Sequence, residues 1–99
     1  MLLIVGSFRL PPEMLQDAWA VMQEMIEASL EEEGCLAYSY AHDMLDPGLV
    51  RVNEAWRDAE ALEEHMASEH LEEWRANWDR LGIHDRDLVQ FSASNPTPI

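Results

Sequence analysis

Apolar residues open the chain in a compact run from Leu2 to Leu10, which ends at Pro11-Pro12. The run is rich in β-forming residues and proline cannot continue a strand ladder, so this segment predicts the first strand. From Pro12 to Glu33 the apolar residues change to helical spacing: Leu15, Ala18, Trp19, Met22, Ile26 and Leu30. This spacing predicts an amphipathic helix that Pro12 begins and Gly34 ends.

Two alternating segments follow, Leu36–Asp43 and Leu49–Trp56. One face of the first segment carries Leu36, Tyr38, Tyr40 and His42. One face of the second segment carries Val50, Val52, Glu54 and Trp56. Asp46-Pro47-Gly48 between them is typical of a tight turn. The pattern therefore predicts an antiparallel hairpin.

A second helical region follows the hairpin. Asp58 is a good N-cap for a helix that starts at Ala59, and Ser68 is a second capping residue. We therefore expect a break near Ser68, followed by a helix that runs to Leu81 and is stopped by Gly82.

The remaining residues predict a last strand at Leu88–Ala93 and a frayed tail over about 94–99. The element order is then β-α-β-β-α-β, which predicts an α+β ferredoxin-like plait. In this fold a four-stranded antiparallel sheet carries its helices on one face, and residues 1–99 form one domain. Tyr, Val and Trp side chains are expected on the open face, so we also predict a homodimer that covers them.

Charge and composition narrow the classes of partner. The formal net charge is −14, which disfavours binding to nucleic acids and to anionic membrane surfaces. The single cysteine excludes an internal disulfide. No apolar run approaches the ~18 residues of a membrane span, so we expect a cytoplasmic protein that is not bound to membranes.

The segment from Gly34 to Trp74 resembles the antibiotic biosynthesis monooxygenase (ABM) family. The resembling motifs are Gly34-Cys35-Leu36-Ala37-Tyr38, Asp46-Pro47, Glu54-x-Trp56, Asp58-x-x-Ala61-Leu62-x-x-His65 and Ser68-x-His70. The resemblance implies a dimeric α+β barrel and an O2-dependent oxygenation of an aromatic phenol, quinol or anthrone. It also implies that this reaction needs no flavin, haem or metal.

A haem-degrading branch shares this fold, and the resemblance allows it to be tested. At the position where that branch carries a Trp, this chain has His65, and the position of the iron-ligating His falls at Arg75. Arginine is always charged and has no lone pair to offer a metal. The haem branch is therefore disfavoured, and we predict that the protein uses no cofactor.

The candidate catalytic residues are Glu54, His65 and His70. Glu54 lies within an apolar strand, so it is either a proton acceptor of raised pKa or a partner in a structural hydrogen bond. The two histidines are the obvious bases, or they serve helix packing and capping. Their spacing of five argues against a simple two-His metal site, so no metal is predicted, but a kink at Ser68 would bring both to one pocket mouth.

The aromatic residues that could form a stacking wall for a flat substrate are Tyr38, Tyr40, Trp56, Trp74 and Trp78. Core and dimer contacts are the alternative, and the resemblance favours Tyr40 and Trp56 as substrate-binding residues. Arg75 is either a binding site for an anionic substrate group or the partner of Glu72 or Asp79 on its own helix.

Two functions follow from these residues. The first is a cofactor-independent monooxygenase that acts on a small aromatic phenol, quinol or anthrone with O2. The second is a non-catalytic dimeric module that binds a small hydrophobic ligand in the same pocket. The second is favoured if structural hydrogen bonds occupy Glu54 and both histidines.

Overall fold

The computed structural model describes residues 1–99 as one antiparallel sheet with the strand order β2-β3-β1-β4. Its strands are β1 (Leu2–Arg9), β2 (Cys35–His42), β3 (Leu49–Trp56) and β4 (His84–Ser92). The helices are α1 (Leu15–Leu30), α2 (Ala59–Met66), α3 (Glu69–Ala76) and the short α4 (Trp78–Leu81), and a 3₁₀ turn (Pro12–Met14) precedes α1. The predicted ferredoxin-like fold is confirmed. That residues 1–99 form one domain with a frayed end stays a prediction.

Several boundaries differ from those predicted. Helix α1 ends three residues earlier than Glu33, because a tighter bond from the Glu31 amide to the Ala28 carbonyl closes its last turn. Asn77 separates α3 from α4, and its side-chain amide donates to the Glu73 carbonyl. Strand β4 begins at His84 instead of Leu88, because its polar first half pairs with β1 through the main chain.

The apolar face of the hairpin lies under the helices and not on the open side of the sheet. Val50 is paired with Phe8, and both are buried in the core together with Tyr38, Val52 and Trp56. Our expectation of the open face is therefore wrong for the Tyr, Trp and Val side chains of the hairpin. The helices cover the face with the larger side chains, since that burial removes more apolar surface from water.

The open face carries a different set of apolar side chains. Leu3 lies opposite Phe91, and Val5 lies opposite Val89, in the pairing of β1 with β4. Val5, Val89 and Phe91 are about half exposed, at 47%, 48% and 53%. An apolar patch therefore exists on the open face, although strands β1 and β4 supply it instead of the hairpin.

A bulge at the start of β2 changes the direction of Leu36. Cys35 pairs with Trp56 and Ala37 pairs with Ala55, so Leu36 is an extra residue between two pairs. Its side chain is 54% exposed and does not share the buried face of Tyr38, contrary to the simple alternation.

The break near Ser68 is confirmed. The Asp58 carboxylate accepts a hydrogen bond from the Ala61 amide (2.9 Å), which caps α2. The Ser68 hydroxyl accepts from the Leu71 amide (3.3 Å) and donates to the His65 carbonyl (2.6 Å). One side chain thus ends α2 and begins α3, and the chain changes direction between His65 and His70.

Helix α2 lies very close to the start of β2. A Cβ atom placed on Gly34 would come within 2.2 Å of the Cβ of Ala61, so only glycine allows this approach. The amide of Arg57 also donates to the Gly34 carbonyl (2.8 Å). Gly34 therefore sets the position of the helix that carries His65.

We expect Gly34→Ala to lower the free energy of unfolding by ~1–3 kcal/mol, because the added methyl group overlaps Ala61. Adding Ala61→Gly to this variant removes the overlap and should recover part of the loss. The measurement is urea denaturation of wild type, both single variants and the double variant. Additive effects, without a favourable coupling of ~0.5–3 kcal/mol, would contradict the proposed contact.

Candidate active site

A cavity of about 340 Å³ lies between the sheet and helices α2 and α3. Its ionisable lining residues are Tyr38, Tyr40, Glu54, His65, Arg75 and Arg86, and Trp74 adds an indole ring. Among the predicted site residues, Tyr40, Glu54, His65, Trp74 and Arg75 line this cavity. The fold therefore brings acid–base groups and aromatic rings from three strands and two helices to one space.

A second cavity of about 250 Å³ lies between α1 and the hairpin. Apolar side chains such as Leu15, Trp19 and Ile26 form most of its lining. Tyr40 is the only predicted site residue that it shares with the first cavity. Its Glu27 and His42 are exposed, whereas Glu54 and His65 of the first cavity are buried. The cavity beside α2 and α3 is therefore the candidate active site.

Trp56 does not line the candidate site. Its side chain is fully buried, its indole N–H donates to Oε1 of Glu54 (3.0 Å), and its ring centroid lies 4.4 Å from that of His65. It therefore orients these two residues from below and does not form the stacking wall we predicted.

His70 also lies outside the candidate site. It faces a small hollow of about 90 Å³ between α1 and α3, beside Trp74. Its Nε2 is hydrogen bonded to Oε2 of Glu32 (2.8 Å). The break at Ser68 does bring both histidines together, but they meet at this carboxylate and not at the mouth of one pocket.

Glu32 is a site residue that the sequence analysis missed. Its Oε2 accepts from Nδ1 of His65 (2.7 Å) as well as from His70. Glu32 is the middle member of the run Glu31-Glu32-Glu33 after α1. Acidic residues oppose the dipole at a helix C-terminus, and that unfavourable placement was the available signal that one of them has a partner.

The bond to Glu32 fixes the tautomer of His65. A carboxylate accepts, so Nδ1 carries the proton and Nε2 keeps its lone pair. Nε2 makes no hydrogen bond to the protein, and the 2% exposed imidazole lines the cavity. Burial lowers the pKa of His65, while Glu32 acts in the opposite direction. The imidazole is therefore neutral at pH 7 and can accept a proton.

Glu32, His65 and His70 are also the residues whose donor atoms are close enough to hold a metal ion, all within 4.8 Å of one another. A spacing of five does not converge on a straight helix, but the break at Ser68 brings the two imidazoles to one carboxylate. Tetrahedral ligands with metal bonds of 2.0–2.2 Å lie roughly 3.3–3.6 Å apart. The separations of 2.7 and 2.8 Å are instead those of charge-assisted hydrogen bonds.

Burial shifts the pKa of each acidic side chain that lines the cavity toward the neutral form. Burial raises the pKa of Glu54, and the hydrogen bond from Trp56 opposes that shift. Burial also raises the pKa of Tyr38, and it raises that of Tyr40 to about 12. The two phenol oxygens lie 3.4 Å apart. Both hydroxyls therefore remain protonated. One donates to the other, and the second O–H is left to donate to an oxygen atom of a ligand.

Comparison with known proteins agrees with this fold and identifies the family of the chain. The sequence profile described as "Antibiotic biosynthesis monooxygenase" matches residues 1–77. The chain belongs to the antibiotic biosynthesis monooxygenase (ABM) family.

Solved structures resemble this ABM protein over nearly its whole length. A candidate antibiotic biosynthesis monooxygenase from Deinococcus radiodurans is 21% identical, with a TM-score of 0.92 over 100% of this chain and 98% of its own. A structure described as an antibiotic biosynthesis monooxygenase is 28% identical, with a TM-score of 0.85 over 96% of this chain and 100% of its own. At 21% identity the first likeness shows the fold alone.

An uncharacterised protein of Synechocystis, sll1783, is 27% identical over 73 residues, which is 74% of this ABM chain. The chain spans half the length of that relative. None of the helices has the length and apolar character needed to cross a bilayer. The cytoplasmic location stays a prediction.

We expect Glu32→Gln to lower the pKa of His65 further, because the carboxylate both hydrogen bonds and attracts the imidazolium. The measurement is an NMR titration of the histidine ring protons. Glu33→Gln is the matched control, since it removes the same charge one residue away from an exposed side chain. An equal shift in both variants would contradict the specific role of Glu32.

Proposed function

We propose that this ABM protein is a cofactor-independent monooxygenase that uses O2 to oxidise a small aromatic phenol, quinol or anthrone. The observation that supports the proposal is the arrangement of His65. Its Nδ1 is held by Glu32, and its Nε2 is left without a protein partner beside an aromatic cavity. A buried, neutral and oriented imidazole is suited to act as a general base.

The reaction begins when Nε2 of His65 takes the proton of the phenolic hydroxyl. The phenolate passes one electron to O2, and the resulting phenoxyl and superoxide radicals combine at a ring carbon. The imidazolium returns its proton to the peroxide oxygen. Loss of the hydrogen on that carbon and cleavage of the O–O bond then give a carbonyl group and one water. The substrate supplies all the electrons, so the overall change is CH₂ + O2 → C=O + H₂O for an anthrone.

The cavity walls support this chemistry by binding the substrate. Trp74 and Tyr40 present aromatic rings whose centroids lie 6.1 Å apart, and a flat substrate packs against them. The hydrogen-bonded pair of Tyr38 and Tyr40 donates its free O–H to a substrate or peroxide oxygen, which stabilises the negative charge that develops there. Glu54, which Trp56 holds in place, is a second hydrogen-bonding group.

A non-catalytic binding module is the second candidate function, and specific contacts favour it. Glu54 accepts from Trp56, and His70 is bonded to Glu32, so both of these predicted bases have structural partners. His65 is the exception, because only one of its two nitrogens is engaged. The role of His65 therefore distinguishes the two functions.

We expect His65→Gln to lower kcat by ~10²–10⁴, because the general base is lost. O2 uptake is measured with a panel of hydroquinones and anthrones, beside a circular dichroism check of the fold. His84→Gln is the control, since His84 is exposed and bonded only to Asp85. Full turnover of the His65 variant would exclude the base assignment. Binding without any O2 uptake in wild type would instead support the binding module.

The activity should also depend on pH in one direction. Neutral His65 is the active form, and burial lowers its pKa below the usual 6.5. We therefore expect kcat/KM to be constant above about pH 6.5 and to fall tenfold per pH unit below the pKa of His65. In Glu32→Gln the fall should begin at a lower pH, because the carboxylate no longer stabilises the imidazolium. A profile that rises toward acid pH would contradict the scheme.

We also propose a homodimer that covers the open face of the sheet. Val5, Val89 and Phe91 form an exposed apolar patch there, which favours contact with a second copy. Phe91→Asp should convert the dimer to a monomer in light scattering at micromolar concentration. Met44→Asp is the matched control, because Met44 is exposed in the hairpin turn. A monomeric wild-type protein would contradict the proposed assembly.

A further inference from the structure

The positive charges of this acidic chain are distributed unevenly. All six basic residues are arginines, against 20 Asp and Glu. Those with carboxylate partners are Arg9 (Asp46), Arg51 (Asp43) and Arg57 (Glu33 and Asp58). Arg80 hydrogen bonds to the Asn77 side chain. The remaining two, Arg75 and Arg86, form no salt bridge, and both line the candidate active site.

Each of these two arginines contacts a neutral side chain and has no carboxylate partner. The Arg86 guanidinium lies 4.3 Å from the ring centroid of Trp78, a cation–π contact that leaves its N–H edges available. The closest polar contact of Arg75 is a 4.0 Å approach of Nη2 to the sulfur of Met66. The ion pairs with Glu72 or Asp79 that the sequence allowed are not formed.

The exposure of the lining residues distinguishes the mouth of the cavity from its interior. Arg75 and Arg86 are exposed, whereas His65 and Tyr38 are buried. Glu54 is the one carboxylate that lines the cavity, and Oε1 of that group is engaged by Trp56. A ligand in this space meets positive charge from exposed lining residues and aromatic, acid–base groups from buried ones.

We propose that the substrate is an aromatic acid with a phenolic hydroxyl, whose carboxylate is bound by Arg75 and Arg86 at the mouth. The ring lies against Trp74 and Tyr40, and the hydroxyl points inward to Nε2 of His65. The inference rests on the proposed function in taking this cavity as the substrate site.

The net charge of −14 does not oppose such binding at short range. At physiological ionic strength the Debye length is ~8 Å, so carboxylates on distant surfaces are largely screened. Guanidinium–carboxylate contacts are direct hydrogen bonds between charged groups and are about twice as strong as neutral ones. The two local arginines therefore outweigh the remote acidic surface for a ligand that reaches the mouth.

The test compares 2,5-dihydroxyphenylacetate with its methyl ester, which keeps the quinol ring and removes the charge. Dissociation constants are measured by calorimetry without O2 for wild type, Arg75→Gln, Arg86→Gln and Arg80→Gln. We expect the acid to bind wild type about tenfold more tightly than the ester. Arg75→Gln and Arg86→Gln should each remove most of that preference, and Arg80→Gln, which removes the same charge outside the cavity, should retain it.

Three outcomes would overturn the inference: equal binding of acid and ester to wild type, an equal loss of preference in Arg80→Gln, or no binding of either compound. O2 uptake separates this inference from the proposed function. Preferred binding of the acid without O2 uptake would support the anion site and exclude the monooxygenase activity. Turnover of neutral quinols without preference for the acid would support the monooxygenase and exclude the anion site.

Discussion

The carboxylate of Glu32 accepts hydrogen bonds from two imidazoles that belong to two different helices. It lies just beyond the end of α1, and its partners lie on either side of the break between α2 and α3. One oxygen atom therefore joins three helices over the sheet. Charge-assisted hydrogen bonds of this kind are worth ~1.5–3 kcal/mol each, which is a large fraction of the stability of a small domain. The position and tautomer of His65 both depend on this contact.

A residue of the sheet also holds His65 and Glu54 in position. Trp56 is fully buried, packs against the His65 ring and donates to Glu54. It links the two acid–base groups of the cavity without contacting a ligand itself. Its role is positional, and it explains why a large aromatic residue stands beside a carboxylate on an otherwise apolar strand.

The sequence was sufficient to predict the order of elements, because each depends on local chemistry. Alternation defined the hairpin, and the capping hydroxyl of Ser68 defined the helix break. The open face was predicted wrongly, because alternation separates two faces but does not say which one the helices cover. The strand containing Arg86 was predicted to begin two residues too late to include it, since its polar residues are held by main-chain pairing alone.

The residues of the site were predictable where they lie in regular elements, and less so elsewhere. Glu54, His65, Tyr40 and Trp74 were identified because a polar or aromatic group on a buried face is conspicuous. Arg75 was identified because cations are few in this acidic chain. Glu32 was not, since three consecutive glutamates look alike until the tertiary fold turns one of them inward. Trp56 was identified, but its complete burial depends on how closely α2 approaches the sheet.

The different exposure of the three hydrogen-bonded groups has a consequence for exchange with bulk water. The side chain of His65 is 2% exposed, whereas those of Glu32 and His70 are 18% and 23% exposed. The chain His65–Glu32–His70 therefore runs from the sealed interior to the surface on the side of α3 that faces α1. Because Nδ1 of His65 and Nε2 of His70 both donate to the same oxygen, the chain holds the two rings in place and does not relay a proton between them. A proton taken up at Nε2 of His65 therefore reaches water only through the cavity, and a ligand that fills the cavity keeps that proton beside the reacting atoms.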